Sequence, residues 1–358
     1  MIFNPPDKTR NHLESNNREK VLIQLEDNDK EIYVLGTNSW AKSIDENFKV
    51  QGFIDDFSKE KKFLNKDILK IEDLDPNSIF ISSNVLGRPL TALKRILDFS
   101  DNAIDYFTIL KKFPNKLKPV LWVTEFESEY LSNKEFYQNI NTELADDYSK
   151  YVLKKLLNFR LTGDLKWMQG FTDCQHRQYF EPFLDHKKMK CFYDIGCFDG
   201  YTSCQFALHY PDYEMIEIFE PSPNNILSIE EKLKDYKNIK INNFCASNIN
   251  GKLRFSESGS ASNISDKGEL EVNALKIDDA DLNQPSYIKM DIEGGEMAAL
   301  EWMQNTIEKY KPVIAISVYH KASDIREIFQ FVKAINKDYK VYLRHYTEGI
   351  TETVMFFV

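Results

Sequence analysis

The chain has 358 residues, of which 42% are hydrophobic and 28% are charged, so it can bury a core and is not a disordered tail. Its formal net charge of -10 at pH 7 argues against a nucleic-acid backbone as the partner. No apolar run approaches the length of a membrane span, and the first residues lack the basic and then apolar pattern of a secretory signal.

Strands and helices alternate in the first third of the chain. Strands are predicted over residues 31–36, 49–54 and 78–83, with helices from about Trp40 and over residues 89–99. This alternation predicts a small parallel sheet. We therefore assign residues 1–118 to a small Rossmann-like α/β domain.

The turn after the first strand offers Gly36 to a phosphate, and the second strand stops on Asp55 and Asp56, which suit ribose hydroxyls. One glycine is not the Gly-x-Gly-x-x-Gly pattern of a dinucleotide site, however. A docking or substrate-presenting module without a cofactor is therefore an equal alternative for this domain.

Residues 119–187 are predicted to form a helical connector. Apolar residues recur at helical spacing within it, for example Val152, Leu156 and Leu157. At its end, Gln178-Tyr-Phe180 is predicted to lie over the sheet of the next domain.

The second domain, residues 188–358, begins with a strand and a glycine turn of the pattern Asp194-x-Gly196-x-x-x-Gly200. A dinucleotide site would have another glycine at position 198, which is Phe198 here. Asp199 would repel a phosphate, and together with Asp194 it favours a ligand that carries positive charge. S-adenosylmethionine, a sulfonium with an ammonium group, fits this turn better than NAD does.

The next strand, over residues 214–219, ends on Glu220. This carboxylate lies roughly 20 residues past the first glycine, where an acidic residue commonly accepts ribose hydroxyls. A third strand, over residues 238–244, leads to Ser247, which is a candidate contact at the edge of the adenine. Residues 256–262 are small and form either a loop over the site or a plain connection.

A buried strand then runs into an acidic turn over residues 287–296, Tyr-Ile-Lys-Met-Asp-Ile-Glu-Gly-Gly-Glu. Apolar residues alternate with Lys289, Asp291 and Glu293, which is strand periodicity. Two glycines allow a sharp turn, and Glu296 falls in the first turn of a helix predicted to continue over residues 297–309. Ligands bind at the carboxyl ends of strands in open α/β sheets, so this turn is a predicted ligand site.

The chain closes with a short strand over residues 313–318 that is followed by His320. A helix is predicted over residues 322–336, and two strands over residues 340–345 and 352–358. These last strands predict a terminal antiparallel hairpin, which a dinucleotide Rossmann fold lacks.

The motifs of the second domain, taken in order, resemble those of the FkbM-type methyltransferase family. The matching segments are Asp194-x-Gly196-x-x-x-Gly200, Glu220-Pro221, Lys289-Met-Asp-Ile-Glu-Gly294 with Glu296, Ser317-Val-Tyr-His-Lys321 with Asp324, Leu343-Arg-His-Tyr346 and Glu352-Thr-Val354. The resemblance covers residues 178–358. It implies a class I, S-adenosylmethionine-dependent O-methyltransferase with a seven-stranded Rossmann-like sheet. It also implies a small-molecule or glycan hydroxyl acceptor, often on a sugar or polyketide.

Methyl transfer to a hydroxyl needs in-line alignment of donor and acceptor and a base that takes the proton. We expect His320, largely neutral at cytoplasmic pH, to be this base, with a structural histidine as the equal alternative. Asp291 and Glu293 are the next candidates, and Lys289 is expected to orient them. The residues predicted to hold S-adenosylmethionine are Asp194, Gly196, Asp199, Gly200, Glu220, Ser247 and Asp291.

Other chemistries compete with this assignment. Asp291 and Glu293 could hold magnesium, but Lys289 partly neutralises them, so we expect no metal. A nucleotide-sugar oxidoreductase using the first domain is a second function, against which the missing Gly-x-Gly-x-x-Gly argues. A non-catalytic nucleotide-binding protein is a third, against which the intact acidic and glycine positions argue. The five cysteines, with no Cys-x-x-Cys pair, indicate reduced thiols and a cytoplasmic location. The sequence leaves an oligomer open.

Overall fold

The computed structural model describes residues 12–13, 17–27, 30–247, 250–256, 263–264 and 268–358. The chain forms two compact units, and each has its own main sheet. The first unit comprises Met1–Ser132, Tyr151–Gln175 and His345–Thr351, and the second comprises Asn133–Lys150, His176–Arg344 and Glu352–Val358.

The first unit contains a six-stranded sheet in the order β3-β4-β2-β1-β5-β6. Its strands are β1 (Ile32–Leu35), β2 (Val50–Ile54), β3 (Lys62–Phe63), β4 (Lys66–Leu69), β5 (Ile79–Ser82) and β6 (Ala103–Asp105). All neighbours pair in parallel except β3 and β4. Every residue of β5 is buried, as expected for a parallel strand covered on both faces. The prediction of a small Rossmann-like α/β domain is confirmed.

Helices account for most of the remaining chain up to residue 162. They are α1 (Asn17–Asp27), α2 (Ser39–Asn47), α3 (Pro89–Leu97), α4 (Tyr106–Lys112), α5 (Leu121–Thr124), α6 (Phe126–Ser132), α7 (Lys134–Asn139) and α8 (Asp147–Thr162). The Asn38 side chain accepts hydrogen bonds from the backbone N–H groups of Trp40 and Ala41, which fixes the start of α2. Of the predicted connector, residues 133–150 and 176–187 belong to the second unit and residues 119–132 and 151–175 to the first.

The second unit contains a seven-stranded sheet in the order β16-β17-β15-β14-β7-β8-β9. Its strands are β7 (Cys191–Ile195), β8 (Met215–Phe219), β9 (Ile239–Asn242), β14 (Tyr287–Met290), β15 (Val313–Ser317), β16 (Val341–His345) and β17 (Thr353–Phe357). Strands β15, β14, β7, β8 and β9 are parallel, and β17 is antiparallel to β15. Lys340 and Val358 exchange backbone hydrogen bonds of 2.9 and 3.0 Å, as antiparallel partners do. The predicted methyltransferase-type sheet with its terminal hairpin is confirmed.

Helices cover this sheet on both faces, which is why every residue of β7 and β14 is buried. They are α9 (Tyr201–His209), α10 (Pro223–Leu233), α11 (Glu296–Glu301), α12 (Gln304–Tyr310) and α13 (Asp324–Ile335). The rings of Phe192 on β7 and Phe206 on α9 stack with their centroids 4.2 Å apart. The single helix predicted over residues 297–309 is instead two, interrupted at Trp302 and Met303.

A second, four-stranded sheet was not predicted. Its order is β10-β13-β11-β12, and its strands are β10 (Cys245–Ala246), β11 (Gly251–Ser256), β12 (Asn263–Ile264) and β13 (Leu270–Leu275). Cys245, Phe255 and Val272 form its small core. The predicted loop over residues 256–262 lies, except for Ser256, outside the described residues. Among those that are described, none of the helices has the length and apolar composition needed to cross a bilayer.

Candidate functional site

Four parallel strands of the second unit end at the same edge of its sheet. Gly196 follows β7, Glu220 follows β8, Asp291 follows β14 and His320 lies three residues past β15. Carboxyl ends of neighbouring parallel strands meet at one edge, and ligands of open α/β sheets bind there. The structure therefore brings Gly196, Glu220, Asp291 and His320 to one edge of the sheet, whereas Ser247 follows β10 of the smaller sheet.

The glycine turn after β7 lies against the acidic turn after β14. Gly196 has φ +78°, and a Cβ built on it would lie 1.9 Å from the backbone oxygen of Asp291. Only glycine fits this approach. Gly200, with φ +84°, starts α9.

Asp194 and Lys289 form a buried ion pair. Lys289 Nζ lies 3.1 Å from Asp194 Oδ1, and the two side chains are 4% and 0% exposed. Ser203 donates a hydrogen bond of 2.7 Å to the other oxygen of Asp194. Burial lowers the pKa of Lys289, but the carboxylates of Asp194 and Asp291 outweigh this effect and leave the pKa above its usual value. Lys289 therefore pairs with Asp194, whereas the sequence suggested that it orients Asp291 and Glu293.

Glu220 is already held by the chain itself. Its carboxylate accepts hydrogen bonds from Phe198 N–H and Ser222 N–H, both 3.0 Å, and from Asn225 Nδ2 at 3.1 Å. A carboxylate has about four acceptor positions, so these bonds leave room for one further donor. Burial raises the pKa of Glu220 above its usual value, although these hydrogen bonds oppose the rise.

The other predicted donor-site residues also have partners. Asp199 accepts a hydrogen bond from Tyr201 N–H and forms an ion pair with Lys232, so its charge is largely compensated. Ser247 is buried just after β10, where its N–H donates to Leu275 O at 3.2 Å. Phe198, where a dinucleotide site has glycine, takes φ +56° and is 39% exposed.

His320 lies among four carboxyl groups, Asp291, Glu293, Glu296 and Glu352, which we call the acidic cluster. His320 Nδ1 lies 2.9 Å from Glu296 Oε1, and Nε2 lies 3.4 Å from Asp291 Oδ1 and 3.5 Å from Glu293 Oε2. The side chains of His320 and Glu296 are only 6% and 1% exposed. Gln178 Nε2 donates a hydrogen bond of 2.7 Å to the carboxylate of Glu352.

The surroundings of His320 argue against the expectation of a largely neutral imidazole. Burial alone would lower its pKa, but the hydrogen bond and charge of Glu296, with Asp291 and Glu293, raise it to about 10. Burial is in turn the main cause that raises the pKa of Glu293 and of Glu352 to about 7. These carboxylates therefore favour the protonated form of His320, which cannot accept a further proton.

The acidic cluster is held by an unusual backbone and by two tyrosines. Glu293 and Glu352 adopt φ +53° and +64°, a region that side-chain-bearing residues seldom occupy and that often marks functional sites. Tyr179 OH donates to Asp291 Oδ2 at 2.9 Å, and Tyr319 OH lies 3.5 Å from Glu352 Oε1. Tyr179 and Tyr319 were not among the predicted site residues, because single tyrosines carry no sequence pattern.

The corresponding edge of the first unit is occupied by the chain's own hydrogen bonds. Asp55 accepts from the hydroxyl of Thr37 at 2.5 Å and from the N–H groups of Phe57 and Ser58, both at 3.0 Å. Gly36, with φ +110°, would place a Cβ 2.4 Å from Ser83 Oγ. Asp56 binds Arg95 at 2.9 Å. These contacts favour the interpretation without a cofactor, and the nucleotide site stays a hypothesis.

This chain matches a protein-family model in sequence and a solved structure in fold. Residues 194–341 match the family model of the methyltransferase FkbM domain. The chain is similar to the crystal structure of methyltransferase FkbM from Methylobacillus flagellatus KT, with a TM-score of 0.74 and 20% identity over 96% of this chain and 94% of that one. Among curated protein sequences, none matches this chain.

Two further solved structures match about half of this chain at lower TM-scores. Precorrin-6y C5,15-methyltransferase from Geobacter metallireducens GS-15 gives a TM-score of 0.31 and 14% identity over 48% of this chain and 82% of that one. A putative methyltransferase from Streptococcus mutans in complex with SAH gives a TM-score of 0.33 and 12% identity over 48% of this chain and 94% of that one.

Proposed function

We propose that this chain, whose C-terminal half is a methyltransferase domain of the FkbM family, transfers a methyl group from S-adenosylmethionine to a hydroxyl of a sugar, glycan or related natural product. The observation that carries the proposal is the packing of the glycine turn at Gly196 against the acidic turn at Asp291. A donor held by the first turn would present its methyl group to an acceptor held by the second.

The donor would lie along the ends of β7, β8 and β10. Gly196 and Gly200 let the backbone approach the methionine portion closely, and Glu220 has one acceptor position left for a ribose hydroxyl. Ser247 would lie next to the adenine of the donor. Asp194 acts indirectly in this arrangement, because it is fully buried against Lys289. The ion pair with Lys232 leaves Asp199 little net charge with which to attract the sulfonium.

The acceptor would lie over the acidic cluster. Its hydroxyl oxygen attacks the methyl carbon in line, the carbon–sulfur bond breaks, and the electron pair stays on the sulfur of S-adenosylhomocysteine. We assign the hydroxyl proton to Glu293 because this carboxylate lies at the turn itself and keeps 28% of its side chain exposed. Asp291 and His320 position the site, and His320 is held in place by Glu296.

The first domain is proposed to serve the acceptor. The domains are then residues 1–118 for acceptor binding, residues 119–187 as a connector and residues 188–358 for methyl transfer. The satisfied carboxylate of Asp55 supports a role without a nucleotide. All five cysteines are free, which supports a cytoplasmic location.

Titration calorimetry with S-adenosylmethionine, NAD and a nucleotide sugar separates the candidate functions. We expect S-adenosylmethionine alone to bind. Binding of NAD instead would favour the oxidoreductase, and binding of only the nucleotide sugar would favour a non-catalytic protein. Release of S-adenosylhomocysteine in the presence of a panel of sugar and polyketide alcohols then identifies the acceptor class.

Glu293→Gln tests the proton acceptor. A positioned base contributes roughly 10²–10⁴-fold, so turnover should fall by about that factor while S-adenosylmethionine affinity stays unchanged. Glu301→Gln is the matched control, because Glu301 is an exposed residue at the end of α11. Equal turnover of the two variants would assign the proton to another group.

A further inference from the structure

We propose that Asp291, Glu296 and His320 form a binding site for a divalent cation of the Mn²⁺ type. Each side chain offers one ligand atom, and the three atoms lie within 4.8 Å of one another. First-row divalent ions bind nitrogen and oxygen at about 2.0–2.2 Å, so neighbouring ligands around them lie about 3–4 Å apart. Small side-chain movements would therefore close this set around one ion.

The first support is that these side chains are buried or half-buried and incompletely bonded. Within the described part of the chain, Asp291 Oδ1, Glu296 Oε2 and His320 Nε2 make no hydrogen bond and are inaccessible to solvent. His320 Nε2 lies 3.4 Å from Asp291 Oδ1, and only 6% of the His320 side chain is exposed. A buried polar atom without a hydrogen bond costs about 1–3 kcal/mol. Glu296 Oε2 has none, and His320 Nε2 and Asp291 Oδ1 are paired only ionically, 3.4 Å apart, so the cluster has bonding positions left for a ligand.

The second support is charge. Four carboxyl groups surround one imidazole, so the cluster has an excess of acidic groups even when His320 carries a proton. A divalent cation would compensate this excess directly. Lys289 does not do so, since it is committed to Asp194 and to the backbone oxygen of Gly196.

The third support is that neighbouring groups hold the proposed ligands in orientation. Tyr179 OH donates to Asp291 Oδ2 at 2.9 Å, and the N–H of Ile292 donates to Glu296 Oε1 at 2.9 Å. Such outer contacts are typical of metal ligands. One imidazole nitrogen with two carboxylates suits Mn²⁺, Fe²⁺ or Zn²⁺ better than Mg²⁺, which prefers oxygen alone.

The ion would lie next to the acceptor position, where it could bind the reacting hydroxyl and make it more acidic. This role rests on the proposed function, whereas cation binding itself does not. The proposed cation site also differs from the expectation from the sequence, which was that no metal binds here.

The test uses the full chain, stripped with a chelator and titrated with Mn²⁺ in a calorimeter. We expect one ion per chain, and pulsed electron paramagnetic resonance of bound Mn²⁺ should show coupling to an imidazole nitrogen. His320→Ala should weaken binding at least about tenfold, while His176→Ala, which removes an exposed imidazole, should not. Glu296→Gln should weaken binding similarly, with Glu301→Gln as its control.

Absence of Mn²⁺ binding up to about 1 mM, the weak end of ordinary affinities, would overturn the site. Binding to the wild-type protein without nitrogen coupling would overturn it as well, and this readout does not depend on whether a variant folds. Calorimetry with S-adenosylmethionine in excess chelator separates the two proposals. Donor binding there without any Mn²⁺ binding would remove the cation site and leave the methyltransferase function in place.

Discussion

Lys289 and Asp194 are direct partners in the parallel pairing of β14 with β7, and their side chains form a fully buried ion pair. Lys289 also donates to the backbone oxygen of Gly196. One lysine thus joins the start of the acidic turn to the start of the glycine turn. The pair explains why two strongly charged residues are found on central strands of the sheet.

Removal of one partner should therefore destabilise the second unit strongly. Lys289→Met leaves Asp194 charged and buried, and breaking such a pair costs about 3–5 kcal/mol. Urea unfolding should show this loss, whereas Lys187→Met, at an exposed lysine, should have little effect. The double variant Asp194→Asn with Lys289→Met should recover part of the stability, because no isolated charge remains. A single variant within about 1 kcal/mol of wild type would contradict this view.

Glu220→Ala should weaken S-adenosylmethionine binding at least about tenfold, or 1.4 kcal/mol, through loss of its bond to a ribose hydroxyl. The structure predicts a lower melting temperature as well, since the N–H groups of Phe198 and Ser222 lose their acceptor. Affinity is therefore measured by calorimetry at a temperature where the variant is folded. Glu214→Gln, at the opposite end of the same strand, is the control, and equal affinities would contradict the assignment.

Gly196→Ala tests the contact between the two turns. The added methyl group would collide with the backbone oxygen of Asp291 at a φ of +78°, so the turns must separate. We expect a loss of several kcal/mol in unfolding free energy or no folded protein, and no measurable donor binding. Gly87→Ala meets nothing within 4 Å and should behave like wild type. Donor binding by Gly196→Ala at wild-type affinity would show that this contact is dispensable.

Local patterns were sufficient to place the site on the sheet. Gly196, Glu220, Asp291 and His320 each follow a strand with clear apolar periodicity, and parallel strand ends necessarily share an edge. The same patterns could not show which charges neutralise one another. Lys289 was assigned to Asp291 because they are neighbours in sequence, yet its partner is Asp194 on the next strand.

The carboxylates around His320 could not be predicted for a related reason. A histidine's pKa depends on what surrounds it in space, and Glu296 lies on a different strand–helix turn from His320. In the small sheet of β10 to β13, strands β10 and β12 could not be predicted because they have only two residues each. Such strands are too short for periodicity to register.

The stability of the folded protein should fall as the pH is lowered below the pKa of an ordinary histidine. Burial, helped by the positive charge of Arg160, lowers the pKa of His345 to about 3, so the folded unit keeps this ring neutral at pH 5. The unfolded chain, with a histidine pKa near 6.5, then binds more protons than the folded one. The contribution of His345 is therefore complete above about pH 6.5 and is lost progressively between about pH 6.5 and 3.

At about 1.4 kcal/mol per pH unit, lowering the pH from 6.5 to 5 should cost about 2 kcal/mol through His345 alone. Urea unfolding can be followed by tryptophan fluorescence, because Trp40 and Trp167 belong to the first unit and Trp302 belongs to the second. His345→Gln cannot take up this proton, so its unfolding free energy should change less between pH 7 and pH 5 than that of wild type. His176→Gln, at an exposed histidine, should keep the wild-type dependence. Identical pH dependence in all three proteins would mean that His345 titrates normally in the folded chain.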